Sequence, residues 1–141
     1  MLHRTLPGQA PFDAWPWRPE VHLCLFVHRV DGLAPGLYLL ARDAAALPRL
    51  RAVMRPRFSW QRPPGVPESL PLFALWPGDC RDSARAVSCH QEIAADGFFS
   101  LGMLARFAPA LRERPNVTST PSGRSTTRER SPPSTCTTRK A

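Results

Sequence analysis

Apolar and polar positions are most regularly ordered over residues 21–30. Val21, Leu23, Leu25 and Val27 fall on one side, and Cys24, Phe26 and Val30 on the other with His22 and His28. Both sides are largely apolar, which predicts a central strand covered on both faces. Asp31 to Gly36 then concentrates turn-forming residues, and Leu37-Tyr38-Leu39-Leu40 reads as a returning strand, so a hairpin is expected. Leu47, Leu50 and Met54 follow at three- and four-residue spacing. They predict a short helix opened by Asp43, or one beginning near Leu47 with Pro48 in its first turn. Residues 56–69 hold four prolines and read as an exposed loop. Residues 70–76 read as a short strand that Pro71 forces to start after it or to lie at an edge.

The clearest helical pattern runs from Asp79 to Gly97. Asp79 is placed to cap the free backbone donors, Asp82 puts negative charge at the positive end, and Gly97 is placed to terminate. Cys80, Ala84, Val87, Gln91 and Ala94 recur along it at spacings of four, three, four and three, setting a glutamine within a small, apolar stripe. A polar group there needs a partner from the protein or from a ligand. Residues 98–107 alternate again as a strand.

Composition divides the chain. In the first 20 residues Pro7, Pro11, Pro16 and Pro19 surround Trp15 and Trp17 in a lead-in that prolines keep out of regular structure. Residues 21–113 carry the pattern of one α+β domain. The stretch 115–141 holds twelve Ser or Thr, four Pro, five basic residues and one acid, so residues 114–141 are expected to be a disordered tail. That tail supplies +4 of the formal +8 charge, and the body's arginines are spread along the sequence, so a specific nucleic-acid partner is not expected. No apolar run approaches the roughly 18–20 residues of a membrane span, and the start lacks the core of a secretory signal. A cytoplasmic location without membrane contact follows as the expectation. Cys24, Cys80, Cys89 and Cys136 are then read as free thiols.

Candidate chemistry is sparse. Cys80, Cys89 and His90 do not reproduce a tight zinc-ligand spacing, and His22 and His28 lie about 20 Å apart along one strand, too far to share an ion. They read as satisfied core or edge histidines. Cys89 beside His90 suggests a thiol and its base, but helix neighbours point in different directions. Glycine-rich phosphate loops and the Gly-x-Ser-x-Gly and His-Glu-x-x-His patterns do not occur.

Two segments resemble a family. Residues 21–40 contain Arg29-Val30-Asp31-Gly32-Leu33-Ala34-Pro35-Gly36-Leu37-Tyr38, which is similar to the "Arg-Val-x-Gly-Leu-x-Pro-Gly-Leu-Tyr" turn of nitroreductase-like flavoproteins of the SagB-type dehydrogenase branch. Residues 88–103, with Gln91-Glu92-Ile93-Ala94, resemble the same branch, in which a helix ending in "Gln-x-Ile-Ala" leads into a central strand. The resemblance spans roughly residues 15–113. It implies an α+β fold with a mixed sheet flanked by helices, FMN as cofactor, a homodimer, and hydride transfer through the flavin to a small-molecule or peptide substrate.

The family's Arg-x-Ser phosphate motif is missing before Trp15, and its C-terminal glycine-rich segment is replaced by the Ser/Thr/Arg/Pro stretch. The expectation is a partial, nitroreductase-like chain whose residues after about Arg114 are read out of frame; a natural tail on a small domain is the alternative. Trp17 and Arg18, just before the first strand, and Gln91 on the helix stripe are the candidate cofactor-binding residues. Their plain alternatives are a Trp covering the core edge, a surface Arg and a Gln capping a neighbouring strand. Catalytic residues are not assigned. The two functions expected are an FMN-dependent oxidoreductase, inactive as this chain stands, and an inactive homologue acting as a binding partner.

Overall fold

A computed structural model describes residues 1–14, 16 and 18–105. The tail at 114–141 and the candidate Trp17 therefore lie outside the described residues. Four strands, β1 (Val21–Val27), β2 (Gly36–Leu40), β3 (Leu72–Pro77) and β4 (Phe99–Ala105), form one antiparallel sheet in the order β3-β2-β1-β4. Among the described residues three short helices, α1 (Leu47–Val53), α2 (Arg81–Val87) and α3 (Ile93–Asp96), join the sheet in an α+β arrangement.

The alternation of β1 produces its central place. Leu23, Leu25 and Val27 pack on one face with Tyr38, Leu40 and Leu72, and Leu6 from the lead-in closes over them. On the other face Leu39, Phe73 and Leu75 pack against Leu50 of α1, while Phe26 meets Cys80, Ala84 and Ala94 from the α2–α3 segment. Leu39, Leu40, Leu72 and Leu75 are almost wholly buried, each contributing about 1.5–3 kcal/mol of transfer free energy. The lead-in is thus partly structural: Leu2–Thr5 and Phe12–Ala14 form 3-10 turns, and Leu6 belongs to the core.

The hairpin forms as the pattern predicts, with Val27 opposite Gly36 and Leu23 opposite Leu40. Strand β1 stops at Val27 rather than residue 30, because the turn begins there: Val30 makes an isolated bridge to Leu33, and Gly32 takes φ +75°. The Tyr38 hydroxyl donates to the Ala34 carbonyl (2.6 Å) and ties the returning strand to the turn. Helix α1 starts at Leu47 with Pro48 in its first turn. Asp43 instead caps a preceding 3-10 turn, its carboxylate accepting from the Ala45 amide at 2.9 Å. Strand β3 begins one residue after Pro71, and Ser59 to Gln61 runs beside it through backbone bonds to Leu75 and Ala74.

One expectation fails. The continuous helix over residues 79–97 is two helices, broken where Cys89 (φ 55°) and His90 (φ 60°) take left-handed backbone conformations. The His90 amide reaches back to the Arg85 carbonyl, the closing bond of a Schellman-type terminus normally built with glycine. The stripe is split in consequence. Cys80, Ala84 and Ala94 are buried, whereas Gln91 is exposed and Val87 is 68% exposed.

Candidate functional site

The start of β1, the end of β2, the first turn of α1 and the end of β4 meet at one end of the sheet around a cavity of about 410 Å³, a size within the ~300–1,000 Å³ of ligand clefts. Arg18, Glu20 and Asp43 line it from the strand ends, and Arg49 from α1. Leu50, Val53 and Leu104 supply apolar wall. His22, on the helix-covered face of β1, is only 6% exposed and also lines the cavity. Its Nδ1 has no hydrogen-bond partner among the described residues. Burial holds its pKa below the ordinary 6.5; nearby Asp43 opposes the shift and Arg42 adds to it. Burial thus favours the neutral form of the imidazole at this cavity wall.

A second cavity of about 490 Å³ adjoins the first, sharing Arg18, Pro19 and Asp43 and adding Arg42 and Pro16. Arg42 is held in place, since its Nε donates to the Thr5 carbonyl and its guanidinium lies 4.6 Å from the centre of the Phe12 ring. Arg18 stands between the two spaces, as its place before β1 suggests.

The candidate residues do not converge. Arg18 lies at the start of β1, whereas Gln91 precedes α3, whose Ala94 carbonyl accepts from His28 Nε2 (2.9 Å) just beyond the other end of β1. Seven residues of strand put these ends about 20 Å apart. Gln91 is withdrawn from the buried stripe because the left-handed turn at Cys89 and His90 carries it to the surface. Cys89 and His90 are themselves exposed, and Cys80 is buried with its thiol pKa raised by burial and by nearby Asp79. Among the described residues no three His, Cys, Asp or Glu side chains group as metal ligands.

His22, Asp43 and Arg49 were not singled out as site residues by the sequence pattern. His22 reads there as a satisfied histidine, but its Nδ1 lacks a partner among the described residues, as does that of His28. The only hint was a histidine at an otherwise apolar strand position.

The lining fits one end of a flavin better than the other. An isoalloxazine needs apolar wall and a few polar groups, which Leu50, Val53, Leu104, Arg18 and His22 offer. A phosphate needs uncompensated positive charge, and here Arg18 and Arg49 are matched by Glu20 and Asp43. Among the described residues no helix is long and apolar enough to cross a membrane. No protein-family model, curated protein or solved structure matches the chain.

Proposed function

We propose that the chain serves FMN-dependent, nitroreductase-like oxidoreductase chemistry, contributing a flavin-ring cavity at the Arg18 end of its sheet. The observation that carries this reading is the cavity itself: Arg18, a candidate from the family resemblance, shares it with buried His22, whose Nδ1 has no hydrogen-bond partner among the described residues. The hairpin supports it. Two of the residues that resemble the SagB-type turn have a structural task there, Gly36 pressing against β3 and Tyr38 tying the turn. A bound flavin would supply hydride transfer at its N5 position. The protein's own groups would exclude water with Leu50, Val53 and Leu104 and orient polar ring edges with Arg18 and His22. The reading includes a cytoplasmic location, a homodimer and a small-molecule or peptide substrate.

Riboflavin and FMN separate the two ends of the ligand. With the phosphate unassisted, riboflavin is expected to bind within about threefold of FMN, and Arg18→Gln to weaken both by roughly tenfold through loss of a charged hydrogen bond. Flavin fluorescence titration reads both. Absence of flavin binding, or binding untouched by Arg18→Gln, would overturn the proposal.

A second reading, an inactive homologue that binds a protein partner, is favoured by the apolar surface of β4 and its approach: Phe98 is 70%, Leu101 51% and Met103 79% exposed. A colourless protein that co-purifies with a flavoprotein would select it.

A further inference from the structure

Between Asp43 and Glu68 the chain carries five arginines and no acidic residue. Along the sequence they look scattered; folding sets Arg51, Arg57 and Arg62 beside aromatic rings of β3 and its flanking segment, whereas Arg49 lines the sheet-end cavity. The Arg51 guanidinium carbon lies 5.3 Å from the Trp60 ring centre and 5.8 Å from that of Phe73. Arg57 lies 5.3 Å from Trp76. Trp60 and Phe73 are 6.0 Å apart, and Trp60 is held at φ 54° in the segment that runs beside β3. Arg62 is spent on structure, its guanidinium donating to the carbonyls of Pro67, Glu68 and Leu70. Arg51, Arg55 and Arg57 differ: all are exposed, and none has a carboxylate partner among the described residues. The ion pairs present among those residues lie elsewhere, within residues 79–92.

We infer that Arg51, Arg55 and Arg57, with Trp60 and Trp76, form a surface that binds single-stranded nucleic acid without sequence preference. A guanidinium held within about 6 Å of an aromatic ring keeps N–H donors for a phosphodiester oxygen pair. Trp76 is 43% exposed beside it, and an exposed indole offers a face on which a base stacks. Charge without compensation and aromatic faces interleaved with it are the two features such binding needs. The surface is separate from the sheet-end cavity and does not depend on the flavin reading.

The test is fluorescence anisotropy of labelled oligothymidylate on the full chain across a salt series. With three phosphate contacts from this surface, the slope of log K against log salt is expected to include about −2 from these residues. Arg51→Gln with Arg57→Gln is expected to reduce the slope's magnitude by about 1.4 and to lower affinity about tenfold at low salt, leaving the basic residues at 124–140 in place. Arg55→Gln, which touches no described ring, gives a smaller loss without disturbing any stack. Trp76→Ala is expected to abolish the preference for oligothymidylate over an abasic strand of equal charge. Circular dichroism of each variant reports whether it is folded. Three results would overturn the inference: variant binding equal to the parent's, no preference for bases over the abasic strand, or equal competition by polyglutamate, which would assign the surface to an acidic protein.

Discussion

His22 combines an apolar strand position with a titratable ring, and the conflict has a measurable consequence. Burial lowers its pKa in the fold, so below about pH 6.5 the unfolded chain takes up a proton that the native state resists. Stability from this residue is therefore complete above the unfolded pKa and is lost as pH falls towards the native one. Urea midpoints are expected to drop as pH falls below about 6.5, and His22→Gln to flatten that dependence. An unchanged pH slope in the variant would show that the imidazole is protonated without penalty. Cys24 behaves differently: burial raises its pKa, leaving the thiol neutral and unreactive.

At the scale of elements, β2 and β3 approach closely only because Gly36 has no side chain. A Cβ there would sit 2.6 Å from the Trp76 carbonyl oxygen, a rigid backbone atom, so the strands must part to admit it. Gly36→Ala is expected to cost about 1–3 kcal/mol, read as a fall in thermal midpoint of about 4–8 °C per kcal/mol. Gly102→Ala is the control. Its Cβ would meet Cys24 at an ordinary 3.6 Å, and it should shift the midpoint by no more than about 0.5 kcal/mol's worth. Gly32 in the turn has a different reason: nothing lies within 4 Å of a Cβ there, and it is the backbone φ of +75° that favours glycine. Helices α2 and α3 pack Cys80, Ala84 and Ala94 on Phe26, and surface ties add to this, Arg85 pairing with Asp82 and Glu92 and Arg29 donating to the Asp96 carbonyl.

For the whole molecule, the unequal sheet edges matter most. Strand β3 is shielded by the Ser59–Gln61 segment, whereas the outer edge of β4 has no pairing partner among the described residues and exposes Leu101 and Met103. An apolar, unprotected edge promotes association. The chain is expected to self-associate at micromolar concentrations, and Leu101→Lys with Met103→Lys to shift it towards monomer in sedimentation velocity. Unaltered sedimentation would place the association elsewhere.

Much of this fold is legible from local pattern. Two-residue alternation marks β1 with its two covered faces; glycine and proline mark the hairpin; Pro48 marks the start of α1 and Pro71 the start of β3. These signals are local because steric and solvation preferences act over a few residues. The break at Cys89 and His90 was hidden, since neither residue announces a left-handed turn, and packing of Ala84 and Ala94 on Phe26 decided it. The site was legible only in part. Arg18 is a candidate through the family resemblance, and that it lines the same cavity as His22, Asp43 and Arg49 depends on which strand ends the sheet brings together. Arg51 and Arg57 make the same point: their charge and the lack of acid nearby are local properties, while the fold sets them beside rings of β3 and its flanking segment. Chain chemistry determines which elements can form, and tertiary structure decides which side chains meet, because meeting requires contacts between residues far apart in sequence.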